Sequence, residues 1–342
     1  MLLPLLVPSS SQYVWSTITP TGTITARRGA SAVYYNNAIY VIGGYSGAYL
    51  SDVQKFDVTT NTWSSVTTTG TFTGRVWFTA TLYNDVIYVI AGQTGSGVRD
   101  NVAYKFTIAT STWTTLNPTD VTLVARSDHT ATLYNDNIYI IGGYGDDVTY
   151  QRNDVVKYSI TYNSWTTITT NGITLPELEA HTATLYKDEI YVIGGKVEGG
   201  ALSSSVHKLT IATSTWTTVA YAGTFTGRWG HSAYQYKDII YVIAGKNSAG
   251  AYLNDINMYD IATSTWTTIT ATGTLTGRWF GASAYYNNVI YVIAGDGGSY
   301  LNDVVTLTNL PTIGIIIIIT IIIIIIIAVN TIITNTITIR NI

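Results

Sequence analysis

The sequence predicts an all-β fold, a six-bladed β-propeller closed by its own N-terminal strand, with a C-terminal hydrophobic segment attached. Three observations carry this reading. An apolar run of the form I-Y-[VI]-I-[GA]-G occurs six times, its final glycines at Gly44, Gly92, Gly143, Gly195, Gly245 and Gly295, at intervals of 48, 51, 52, 50 and 50 residues. A tryptophan in a Thr/Ser-rich run recurs with the same period, at Trp15, Trp63, Trp113, Trp165, Trp216 and Trp266. The last repeat lacks its tryptophan run, and an orphan one stands at the N-terminus. A fixed period near 50 residues marks a repeat architecture rather than two domains.

One unit is read from the fifth repeat. His231–Tyr236 alternates as a first strand, Lys237-Asp238 turns, and Ile239–Ile243 is an apolar second strand ended by Ala244-Gly245. A loop leads to a third strand over Leu253–Tyr259, and Ala262–Ser264 turns the chain into a fourth over Thr265–Thr270. Short β-branched runs between turn residues make an antiparallel meander, and four strands per 50 residues is one propeller blade. In the sixth unit, Ala282–Tyr286, Val289–Ile293 and Leu301–Thr308 supply three strands. Trp63, Trp216 and Trp266 each precede an arginine by 12 residues, and Trp15 precedes Arg27 by the same 12. Tyr13–Ile18 is therefore the fourth strand of the last blade, and this closure removes an edge that could pair with other chains. The division is a short apolar leader over 1–11, the propeller over 12–310 and an isoleucine-rich tail over 311–342.

The glycine doublet after the second strand, the tyrosine of the third and the tryptophan of the fourth (Gly142-Gly143, Tyr158 and Trp165) resemble the kelch repeat. The likeness covers about residues 12–310, with Ala-Gly replacing Gly-Gly in three repeats. It implies a propeller whose blades approach closely at the doublets. It says little of function, because propellers host many.

Composition narrows the classes. Charged residues are 11% of the chain, and 17 basic against 20 acidic residues give a net charge of −3. With no basic surplus to neutralise phosphates, nucleic acid is not an expected partner. The absence of cysteine excludes disulfides, thiolate metal sites and cysteine nucleophiles, and with them the copper-oxidase chemistry known among kelch enzymes, which needs a cysteine joined to a tyrosine. No usable N-x-[ST] sequon occurs, since Asn117-Pro118-Thr119 is blocked by its proline. The leader has no basic residues and too short an apolar run for a secretory signal.

Five of the nine arginines sit at one repeat position before the first strand: Arg27, Arg75, Arg126, Arg228 and Arg278, with Leu178 in blade four. Trp77, Trp229 and Trp279 lie beside them, and His129, His181 and His231 lie three residues after the position. Loops leading into the innermost strand open at the propeller axis. These residues are thus expected either to ring the channel mouth as a surface for a protein or glycan ligand, or to hold the blades, the arginines bonding loop carbonyls or pairing with Asp52, Asp154, Asp255 and Asp303. The histidines are spread around a ring with no recurring carboxylate, so no metal and no cofactor is expected. Glu177, Glu179 and His181 form a local cluster that faintly resembles iron-binding kelch proteins of plants, but it reads as a solvated loop. No catalytic set is defensible, so the chain is expected not to be an enzyme; an axial pocket like that of kelch-type sialic acid mutarotases is the enzymatic alternative.

Residues 313–329 are apolar apart from Gly314 and Thr320. As a helix they would span about 25 Å, near the lower limit for crossing a bilayer. Ile315, Ile319, Ile321 and Ile327 stand for a surface that either enters a membrane or, given isoleucine's strand propensity, associates with other copies. The expected location is a membrane or an exposed cell or virion surface, with a tail-anchored cytosolic propeller as the alternative.

Overall fold

A computed structural model describes residues 12–120, 123–146 and 150–310. The leader (1–11) and the tail (311–342), with Ile315, Ile319, Ile321 and Ile327, lie outside the described residues. Among the described residues no helix is long and apolar enough to cross a membrane.

Six antiparallel sheets surround one axis. In blade five the strands are Ser232–Tyr236, Ile239–Ile243, Ile256–Asp260 and Thr265–Ile269, paired in that order. The third strand starts later than the expected Leu253, because Leu253 and Asp255 are committed to the loop, bonding Gly245 and Ala244. In blade six the strands are Ala282–Tyr286, Val289–Asp296, Tyr300–Leu310 and then Gln12–Ile18. The N-terminal strand pairs antiparallel with Tyr300–Leu310 from Gln12↔Leu310 to Ile18↔Val304, closing the ring as the tryptophan spacing requires.

Every second strand is apolar on both faces because each blade is covered on both sides; Ala38–Ile42 is buried at all five positions. The core is accordingly six separate clusters, one in each gap between neighbouring blades. In the gap between blades six and one, Ile39, Val41, Phe56 and Trp63 meet Tyr291, Ile293 and Val304. Around the outside, the segment trailing each blade forms a parallel bridge to the fourth strand of the next, from Thr21↔Thr62 round to Ala271↔Tyr13. Among the described residues no outermost strand is left wholly unpaired, which suppresses edge-to-edge association.

The glycine doublets show why alanine is accepted at one position and not the other. The first residue is left-handed, with φ from +54° to +66° whether it is Gly43 or Ala91. An L-residue reaches that region at a cost of about 1–2 kcal/mol. The second has φ from +93° to +106°, a region open essentially to glycine alone. A Cβ on Gly143 would also fall 2.7 Å from the Ser127 carbonyl and 2.8 Å from the His129 Cβ.

Chain direction fixes which face carries what. The first strand of each blade starts at the face of the arginine loops and the second returns there. The third leaves it again, so Leu310 and its partner Gln12 lie on the opposite face.

Candidate functional site at the axial opening

The residue two places after each arginine position adopts a left-handed conformation: Gly29, Trp77, Asp128, Ala180, Gly230 and Phe280, with φ between +48° and +62°. That geometry turns each N–H toward the preceding blade. Gly29 donates to Phe280, Trp77 to Gly29, Asp128 to Trp77, Ala180 to Asp128, Gly230 to Ala180 and Phe280 to Gly230, at 2.8–3.0 Å. Six backbone hydrogen bonds thus make a closed hoop around the axis.

The five arginines lie behind this hoop and face inward. Arg27, Arg75, Arg126, Arg228 and Arg278 are all 0–1% exposed. Each guanidinium grips one carboxylate through both terminal nitrogens: Arg27 holds Asp52 at 2.7 and 2.7 Å, and Arg228 holds Asp255 at 2.6 and 2.8 Å. Arg126 grips Asp154 and Arg278 grips Asp303 in the same way. Nη1 also donates to the carbonyl of the doublet's first residue, and Nε to the carbonyl two residues back. Burial opposes ionisation of Asp52 and Asp255, but the hydrogen bonds and charge of Arg27 and Arg228 outweigh it and hold both carboxyls below their usual range. Arg75 pairs with Asp100 at 3.0 Å, and there burial prevails and the carboxyl is raised. Asp100 escapes a repeat-based reading because it stands three residues before Ala103, the counterpart of Val53, whereas Asp52 stands one before Val53. In blade four the pair is absent as a unit: Leu178 fills the arginine position and Ser205 stands where its acid would be. The arginines are therefore sealed staples within the blades and present no guanidinium at the opening.

The histidines link blades. His129, His181 and His231 are buried, and each Nε2 bonds the threonine of the preceding blade's first strand, Thr79, Thr130 and Thr182, at 3.0–3.1 Å. Burial depresses all three, His181 and His231 to about 3 and His129 well below its ordinary value, so they are neutral at physiological pH. Glu179, expected in a solvated loop, is buried instead: its Oε1 accepts from Lys196 Nζ at 2.9 Å. Among the described residues no three His, Asp or Glu side chains come together as metal ligands.

What does reach the opening is aromatic. Trp229 and Trp279 meet edge to face at 4.7 Å, Phe280 lies 4.7 Å from Trp279 and 6.0 Å from Trp229, and Trp77 lies 5.7 Å from Phe280. Cations sit on these rings. Arg28, held by Asp296 at 2.9 Å, lies 5.6 Å from Trp77 and 5.7 Å from Trp279. Lys196 lies 5.2 Å from Trp229, and Lys246 lies 4.8 Å from both Trp279 and Tyr252. Phe280, Arg28, Lys196 and Lys246 are additions to the residues expected from sequence. Within the hoop, a cavity of about 140 Å³ is lined by Trp77, Phe78, Asp128, Phe280 and the three histidines among others. Below it the channel, about 300 Å³, is walled by hydroxyls and alanines such as Ser31, Thr79, Ala80 and Ser232. None of the five arginines lines either space, so the polar arginine pocket that a mutarotase-like activity would use is not formed by them.

This repeat geometry agrees with what related sequences show. The KLHDC2/KLHL20/DRC7 Kelch-repeats domain matches residues 5–195 and 180–310. The chain belongs to the kelch-repeat family. Kelch domain-containing protein 3 of Homo sapiens is 32% identical over 98 residues, 29% of this chain and 26% of that protein. Leucine-zipper-like transcriptional regulator 1 of Mus musculus is 33% identical over 227 residues, 62% of this chain and 26% of that protein. The kelch chain thus spans about a quarter of the length of either relative. Kelch propellers of this kind are in general non-enzymatic and bind proteins.

Proposed function

We propose that this kelch propeller is a non-enzymatic binding module whose protein partner docks on the rim of the axial opening, while the isoleucine-rich tail attaches the opposite face to a membrane or to an assembly. The observation that carries the reading is the rim itself: Trp77, Trp229, Trp279 and Phe280 packed together and bordered by Arg28, Lys196 and Lys246. Large rigid rings beside long cations are the composition in which binding energy concentrates. The placement of Leu310 on the other face supports the second half, because a tail leaving there keeps the rim clear of whatever the tail enters.

The test is a site-specific photo-cross-linker placed at Trp229 and, as control, at Ser64 on the side wall, in wild type and in a W279A background. A partner captured at the rim, missed at the side wall and lost in W279A with the urea midpoint retained supports the reading. Equal capture at both positions, or capture indifferent to Trp279, removes it. A glycan bound at the rim in place of protein would replace the partner class.

A further inference from the structure

We propose that the 140 Å³ cavity inside the hoop receives a cationic side chain of the partner, arginine or lysine, held by the carboxylate of Asp128 against the rings of Trp77 and Phe280. The proposal rests on the protein-binding reading above and adds the chemistry recognised at its centre.

The lining decides the sign of charge. Asp128 is its one acidic residue, and its only bases are His129, His181 and His231, which burial keeps neutral. The five ring arginines, which would favour an anion, are sealed against their own aspartates. An anion in the cavity would meet a carboxylate and no free cation; a cation would meet a carboxylate beside the aromatic side chains of Trp77 and Phe280, the residue types that attract ammonium and guanidinium groups. At about 140 Å³ the cavity is well below an ordinary small-molecule pocket, enough for the end of one side chain and too small for a folded segment. The rim already uses this chemistry internally, since Arg28 lies over Trp77 and Trp279.

Asp128 is also prepared for a partner. Its Oδ2 accepts from Ser127 Oγ at 2.6 Å, and that hydroxyl is in turn bonded by Arg99 Nε at 3.0 Å, while among the described residues none donates to Oδ1. Burial raises the Asp128 carboxyl to about 7; the Ser127 hydrogen bond opposes this, Glu179 adds to it, and Arg99 and Lys196 counter it. His129 and His181 line the same space but carry no charge to titrate near neutrality. A bound cation would favour the ionised form, so affinity should climb as pH passes through neutrality.

The experiment titrates the full-length chain, in mild detergent, with Nα-acetyl-arginine methylamide and with its neutral citrulline counterpart, reading tryptophan fluorescence and heat. Expected are binding of the arginine probe at pH 8, affinity about tenfold lower at pH 5.5, and little binding of the citrulline probe. D128N tests the carboxylate, because asparagine tolerates the left-handed backbone of this position and preserves the hoop. It should lose at least tenfold in affinity at pH 8 and flatten the pH dependence without lowering the urea midpoint. Equal binding of both probes, or a D128N variant with unchanged affinity, overturns the proposal. So does a rim-cross-linked partner that the arginine probe fails to compete, and in that case the binding reading survives.

Discussion

The sealed arginine–aspartate pairs can be tested through an experiment the chain has already performed in blade four, where Leu178 and Ser205 replace both partners together. Transferring those residues to blade five gives R228L, D255S and the double variant. D255S leaves a guanidinium that is 1% exposed with two carbonyl partners and no counter-charge, and should cost about 3–5 kcal/mol. R228L leaves a carboxylate that is 33% exposed and still bonded by Asn257, but strips a donor from the buried carbonyl of Ala244 and another from the carbonyl of Thr226, an exposed residue that water can reach. Its cost should be smaller, about 2–3 kcal/mol. The double variant buries no unpaired charge and should cost only about 1–2 kcal/mol, giving a coupling of roughly 3–7 kcal/mol between the two sites. Urea unfolding followed by tryptophan fluorescence reads all three, the midpoints falling in the order double variant, R228L, D255S. Additive losses in the double variant, or D255S milder than R228L, would refute the account of these arginines as staples.

Other outcomes follow from the same geometry. His181 and His231 titrate near 3 in the folded chain and near 6.5 when unfolded, so the unfolded chain takes up protons first on acidification. Their contribution is whole above pH 6.5 and is lost progressively as pH falls toward 3. Asp128, raised to about 7, acts in the opposite sense over the same range. The difference in urea midpoint between wild type and H181F/H231F, in which Asp128 cancels, should therefore shrink from pH 7 to pH 4.5; phenylalanine is the residue of blade two at this position, Phe78. A Cβ on Gly273 would lie 2.1 Å from the Trp15 carbonyl, so Gly273→Ala should loosen the closing blade by about 1–3 kcal/mol and expose Gln12–Ile18 to early proteolysis. Finally, sedimentation of the full chain and of residues 1–311, with and without detergent, distinguishes the roles of the tail. A detergent-dependent monomer is expected of an anchor, and defined oligomers without detergent are expected of an assembly element.

The six blades and their closure were legible because they depend on spacing: the interval from Trp15 to Arg27 alone places the N-terminal strand in the last blade. The staples were half legible. Asp52, Asp154, Asp255 and Asp303 hold one register position, whereas Asp100 lies two residues off it. The rim was not legible as a surface. Trp77 stands two residues after its arginine and Trp229 and Trp279 one, so proximity in sequence did not reveal that Trp77 shares its position with Phe280 and packs against it across blades two and six. The hoop was still less visible, since nothing in Ala180 or Phe280 announces a left-handed backbone. That conformation is imposed by hydrogen bonds between blades, a property of the closed ring and not of any local stretch.

The pairing of Gln12 with Leu310 has a mechanical consequence. Tension between a partner pulling at the opening and an attachment at the tail would run lengthwise down Tyr300–Leu310, which is laddered on one side to Val289–Asp296 and on the other to Gln12–Ile18. A strand pulled along its own length between two such ladders is loaded in shear, and its hydrogen bonds resist together. Pulling the two chain ends apart instead would peel the seven N-terminal pairs one after another, starting at Gln12. The same seam is thus strong along the line from opening to tail and weak across it.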